Sequence, residues 1–147
     1  MKKPFVVCHM LTSLDGKIDG EFFSAPQTAP ASRAYGELRG FYGCQATLYG
    51  TTTMIGGYAD GPAPALGEVG LLGKASLPQE ADFVSPEGKA LGNFIVALDP
   101  KGELGYHTAT IEKKNRPAAH VIEAVTEQAS SAYLQYLRGL GISYLTA

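Results

Sequence analysis

The chain predicts an α/β domain, a mostly parallel central sheet flanked by helices. Two observations carry that prediction. Apolar runs of strand length recur at Phe5–Leu11, Gln45–Tyr49, Asn93–Leu98, His120–Val125 and Ile142–Thr146. Between some of them stand stretches with helical apolar spacing, at 33–42 and 132–140. Strands alternating with helices argue for parallel pairing under a helical cover.

The first run, Phe5–Leu11, is continuous and apolar, as a strand buried on both faces would be. It feeds a polar turn holding Thr12, Ser13, Asp15, Gly16 and Lys17. A strand exit that delivers hydroxyls, a carboxylate and a glycine suits a site, because open α/β sheets bind ligands outside the carboxyl ends of their strands. The bland alternative is an ordinary Asp-Gly turn. A loop with Pro26 and Pro30 follows, and Ser32 is the expected N-cap of a helix over 33–42. Ala34, Leu38 and Phe41, with Tyr35 and Tyr42 beside them, form its apolar stripe, expected to pack on the core.

After Gln45–Tyr49 comes Gly50-Thr51-Thr52-Thr53, then Met54-Ile55. Glycine, hydroxyls and a helix start can cradle an anion, although threonines also cap helices with no ligand present. The stretch is neither a Walker loop nor a dinucleotide fingerprint. Residues 58–90 are rich in Gly and Pro and read as a long excursion, a lid, a partner-binding segment or an insertion. Asn93–Leu98 closes in the turn Asp99-Pro100-Lys101-Gly102, and 104–111 reads as a further short extended piece. Lys113, Lys114 and Arg116 form a small basic cluster, a solvated turn or an aid to holding phosphate. Ser130 or Ser131 caps the helix over 132–140, whose Leu134, Leu137 and Leu140 share a face, and Gly141 takes the C′ position.

With 147 residues the chain is expected to form one domain with a core of its own. A net charge of −2 argues against a nucleic-acid footprint, and no apolar stretch approaches membrane-spanning length. No leader pattern is evident, so a cytoplasmic location is expected, with Cys8 and Cys44 as buried, reduced thiols. The three histidines, His9, His107 and His120, show no metal-ligand spacing. The strand–helix pattern looks interrupted at the C-terminus. A truncated domain, or one completed by another chain as in a homodimer, is therefore expected.

Three blocks carry a family resemblance: Ser13-Leu14-Asp15-Gly16-Lys17-Ile18, Gly50 to Thr53, and Val96-Ala97-Leu98-Asp99. With the order of elements, they make the chain similar to the reductase domain of riboflavin biosynthesis. That domain is the C-terminal half of the bifunctional bacterial deaminase–reductase, with a dihydrofolate-reductase-like fold. The resemblance spans the chain and corresponds to the N-terminal part, about two-thirds, of the family's domain. It implies NADPH-dependent reduction of the ribosyl group of a pyrimidine ribosylamino phosphate, a small-molecule substrate.

By position, the resemblance puts Leu11 and Thr12 at the nicotinamide and Gly50, Thr51, Thr52 and Thr53 at the cofactor's phosphates. Asp99 and Lys101 fall at the adenosine end, and Ser13, Ser24 and Arg39 near substrate. Asp15 is the first candidate for orienting substrate or feeding a proton, His9 the second and Lys17 the third. His9 stands where the bacterial enzymes carry a lysine, and Gly57 where the family often has an acidic contact. The family's later glycine-rich segment lies beyond Ala147, so the chain alone is expected to bind NADPH poorly. The competing reading is a non-catalytic nucleotide-binding or dimerisation module on the same fold. A true dihydrofolate reductase fits less well, because the helix over 33–42 offers only Glu37 as an acid.

Overall fold

The computed structural model describes residues 3–66 and 82–147. The chain divides into two compact units, Met1–Cys44 and Gln45–Ala147.

In the first unit the expected strand at Phe5–Leu11 does not form, and these residues are extended without a ladder. A strand exists only where its N–H and C=O groups find partners, and no other strand is present among the described residues of this unit. Phe5 and Val6 are therefore exposed, each at 80%. Two short 3-10 helices, Glu21–Ser24 and Pro26–Thr28, occupy the expected loop. Helix α1 spans Ala29–Tyr42, with Thr28 rather than Ser32 at its N-cap. The earlier start is physically sensible, since Pro30 falls in the first turn, where its missing N–H costs no helix bond. Gly43, in the left-handed region at φ 58°, ends the helix.

The stripe on α1 is the second correction. No α1 residue is buried, and Leu38, Phe41 and Tyr42 are exposed. Helical periodicity marks a face able to pack but does not supply the surface it packs on. Within this unit the stripe meets chiefly His9, which stacks on Tyr35 at 4.2 Å and stands edge-on to Tyr42 at 5.7 Å.

The second unit follows the sequence reading closely. Its strands are β1 (Ala46–Gly50), β2 (Asp82–Phe83), β3 (Phe94–Leu98), β4 (Thr110–Ile111), β5 (Ala119–Val125) and β6 (Ser143–Thr146). Helices α2 (Thr51–Ile55), α3 (Pro86–Leu91) and α4 (Ser131–Gly139) complete it. The sheet runs β1-β3-β5-β6-β2, with every pair parallel except β6–β2. Strand β4 pairs antiparallel with the first residues of β5, so the extended piece expected over 104–111 is a strand only at its end. Of the expected excursion, 67–81 lies outside the described residues, and its later part supplies β2 and α3.

Register sorts the two faces. Ile95 pairs with Val121 and Ala97 with Glu123, which also faces Tyr144. These residues and Val125 are buried with Leu104, Tyr106, Tyr133, Leu137 and Ile142. Helix α4 reaches that core through Tyr133 and Leu137, while Leu134 and Leu140 pack at its margin. Each fully buried aliphatic side chain of this set contributes about 2 kcal/mol. The Ser130 hydroxyl accepts from the Tyr133 N–H at 3.1 Å, which is the expected cap, and Gly141 has the expected left-handed φ of 72°.

The opposite face holds a buried polar network. Ser85 N–H donates to Ser143 Oγ at 3.0 Å, and Ser143 Oγ lies 2.8 Å from His120 Nε2. Burial holds the His120 imidazole below its usual pKa, with Glu87 acting the other way. The neutral ring shares a hydrogen bond with the Ser143 hydroxyl, and the pair ties α3 to β5 and β6. A Ser–His contact of this length suggests a nucleophile, but Ser143 is 4% exposed and His120 1%, so no substrate reaches them. Gly88 lies against the ring, where an added Cβ would come within 2.3 Å of His120 Cδ2. Gly88→Ala is expected to cost about 2 kcal/mol in urea unfolding, since the buried ring has no room to yield. An unchanged midpoint would show that the ring does not support α3.

Both cysteines are exposed and free, not buried as expected. Cys8 sits in the segment that forms no ladder, and Cys44 precedes β1. Among the described residues, no helix is long and apolar enough to cross a membrane.

Candidate functional site

The Ser13–Lys17 turn is a closed ring of hydrogen bonds. Gly16 N–H donates to Ser13 O at 3.0 Å and Ser13 N–H to Lys17 O at 2.9 Å, while Gly16 takes φ 81°. The Ser13 hydroxyl accepts from Lys17 N–H at 2.9 Å and itself donates to Asp15 Oδ1. Lys17 Nζ lies 3.1 Å from Asp15 Oδ2. The Ser13 and Lys17 contacts hold the Asp15 carboxyl below its ordinary range. An acid held ionised accepts hydrogen bonds, so orienting a ligand suits Asp15 better than feeding a proton. His9 is half-buried on Tyr35. Leu11 is half-buried and Thr12 exposed on the approach to the turn. Ser24 is exposed at the end of the first 3-10 helix, and Arg39 lies in the last turn of α1.

In the second unit, β1 and β3 end together. Gly50 is in register with Leu98, and the Thr51 hydroxyl crosses between the strands to donate to Leu98 O at 2.9 Å. Thr51 is thus committed to joining the two strand exits, while Thr52 and Thr53 are exposed on α2. A Cβ at Gly50 would meet nothing within 4 Å. The glycine is therefore not needed to relieve crowding within this fold.

Asp99 departs from its expected role. It is fully buried, and its Oδ2 accepts from the N–H groups of Glu103 at 2.7 Å and Leu104 at 2.9 Å. It organises the 99–104 turn from inside and cannot meet an adenosine. Lys101, in the same turn, is exposed and can reach a ligand.

Two further features bring together groups that the sequence reading did not connect. The first is a cleft of about 490 Å³ lined by Tyr58, Asp60, Tyr106, His107, Thr110 and Lys113, among others. Asp60 Oδ2 accepts from the His107 backbone N–H at 2.7 Å and also from its ring Nδ1. Beside it Tyr58 stacks on Tyr49 at 4.7 Å, and the Arg116 guanidinium donates to the Tyr58 hydroxyl at 2.7 Å. Arg116 and Lys113 of the basic cluster thus meet at one tyrosine, Arg116 through its hydroxyl and Lys113 at 5.3 Å from its ring centre. No family model, curated protein or solved structure matches this chain significantly.

The second feature is a buried pair of acids. Glu123 is fully buried in the middle of β5, and the Tyr106 hydroxyl donates to its Oε1. Burial pushes its pKa up to about 8, reinforced by the nearby Asp99 charge and opposed by the Tyr106 bond. Asp99 Oδ1 and Glu123 Oε2 have no hydrogen-bond partner among the described residues. A sequence signal existed, a lone acid inside the apolar run HVIEAV. A charge amid strand-core residues marks a group that must be paired or neutralised. His107 had no such signal, because its partner lies 47 residues away. Among the described residues, no group of three or more His, Cys, Asp or Glu is placed to hold a metal ion.

Proposed function

We propose that the chain is an NADPH-dependent reductase of the riboflavin-biosynthesis type, acting on a pyrimidine ribosylamino phosphate or a similar small molecule. The observation that carries this reading is the shared exit of β1 and β3. The two blocks that the resemblance assigns to the cofactor leave neighbouring parallel strands at their carboxyl ends, bonded through Thr51. Ligands of open α/β sheets bind at such exits. Thr52 and Thr53 are exposed and offer hydroxyl donors to phosphate, and the Lys101 ammonium favours the additional phosphate of NADPH. Asp99 does not fit a cofactor role. NADPH, when bound, supplies the hydride, and the protein supplies placement. In the first unit, ionised Asp15 serves as an acceptor that orients a substrate hydroxyl or amine.

Titration of the chain into NADPH, followed by nicotinamide fluorescence, tests the reading. Saturable quenching is expected, weakened about tenfold by Thr53→Val, the loss of one hydrogen bond to a charged phosphate. No quenching at high cofactor concentration overturns it. The module reading is favoured by the internal use of Thr51 and Asp99, which leaves fewer groups for a cofactor. Asp15→Asn separates the two readings. A large loss of NADPH-linked turnover supports the reductase, and cofactor binding without turnover in either form supports the module.

A further inference from the structure

The cleft beside β4 uses none of the residues assigned to the reductase reading, and its groups are organised for a ligand. Asp60 is committed to His107. One oxygen, Oδ2, takes both the backbone N–H and ring Nδ1, which assigns the Nδ1 hydrogen and leaves Nε2 as the ring's unspent nitrogen. The imidazole is fixed while its side chain stays 79% exposed. Lys113 is restrained as well, because its ammonium rests over the Tyr58 ring at 5.3 Å. That ring is braced behind by Tyr49 and at its hydroxyl by Arg116. A cation held over an aromatic face loses less freedom on meeting an anion than one waving in water. Thr108 and Thr110 add hydroxyls to the lining, and Glu112 adds a carboxylate.

These groups specify complementary chemistry. Lys113 attracts an oxyanion. His107 Nε2, with Nδ1 turned to Asp60, faces the cleft as a hydrogen-bonding partner for a hydroxyl. Glu112 accepts a second hydroxyl or an amine and disfavours a ligand of high negative charge. We infer that the Asp60–His107 cleft is a binding site for a small hydroxylated oxyanion, a phosphorylated or carboxylated polyol. Lys113 holds the anionic end and the Asp60–His107 pair the hydroxyl end. The volume of about 490 Å³ accommodates a molecule of that size.

Glycerol 3-phosphate, glycerate and glycerol serve as probes, followed through the His107 and Tyr58 ring resonances in NMR titrations of the whole chain, with Tyr58 as the readout in the His107 variant. Saturable shifts are expected with glycerol 3-phosphate or glycerate and not with glycerol, and comparing the two acids distinguishes a phosphate from a carboxylate ligand. Lys113→Ala and His107→Gln are each expected to weaken binding about tenfold, the usual scale for a charge-assisted contact. Both side chains lie on the surface, so these variants retain the fold, and Lys101→Ala leaves the affinity unchanged. Shifts that fail to saturate with both acids overturn the proposal, as do saturable shifts indifferent to both cleft substitutions. Because Lys101 and Thr53 lie outside this cleft, a failure here is distinct from a failure of NADPH binding.

Discussion

The unit Gln45–Ala147 is expected to lose stability as the pH rises from about 6.5 to about 8, and Glu123 is the cause. Its carboxyl titrates at an ordinary 4.5 when exposed and at about 8 in the fold. Between those values the folded chain keeps a proton that the unfolded chain has lost. Stability then falls with pH and levels off above the folded value. The full effect is on the order of a few kcal/mol, large against a typical domain stability of roughly 5–15 kcal/mol. His120 opposes it at the acid end. Its lowered pKa means that stability rises as the pH approaches 6.5 from below, so the Glu123 slope stands alone between about 6.5 and about 8. Urea midpoints measured across that interval should fall. Glu123→Gln, which keeps an acceptor for the Tyr106 hydroxyl, should flatten the curve. A wild-type midpoint that does not move, or an equal slope in the variant, removes Glu123 as the titrating group.

Asp99→Ala should be the most damaging substitution among the residues that the resemblance assigns to a cofactor. It strips the acceptor from two backbone N–H groups, those of Glu103 and the fully buried Leu104. The unpaired buried Leu104 donor costs about 1–3 kcal/mol, and Glu103, being exposed, can turn to water, so the loss should be about 1–3 kcal/mol in urea unfolding. Tyr133 retains its bond to Leu104 O at 2.8 Å, which limits the damage to the turn. Asp99→Asn should be far milder, because the amide oxygen can accept both N–H groups. The amide also carries no charge, so Glu123 should titrate lower in this variant and the pH window above should narrow. An alanine variant as stable as the wild type, with NADPH affinity reduced instead, would return Asp99 to the cofactor site.

Much of the second unit was legible because its signals are local. Ser130 as a cap, Gly141 as a stop and the apolar runs at β1, β3, β5 and β6 each report on a few neighbouring residues, and the fold uses them as written. The first unit was misread for the opposite reason. Phe5–Leu11 and the α1 stripe have the composition of buried elements, but burial depends on a partner surface that no local pattern specifies. Asp99 was misread in a third way. A turn residue at a strand end resembles a ligand contact until its two backbone donors are known.

Taken alone, the amino-acid order settled β1, β3, β5, β6 and α4 in Gln45–Ala147 and a mostly parallel sheet, but not β2 and α3, which fall in the stretch read as an excursion. Spacing and caps act over a single turn or pleat, so those decisions need no distant residue. Tertiary structure alone decided which polar groups meet. Glu123 lies in β5 and Asp99 in the turn after β3, His107 finds Asp60 across 47 positions, and Ser143 finds His120 across 23. Their protonation and reach are set by neighbours that only folding assembles, because burial and charge act through space and not along the chain.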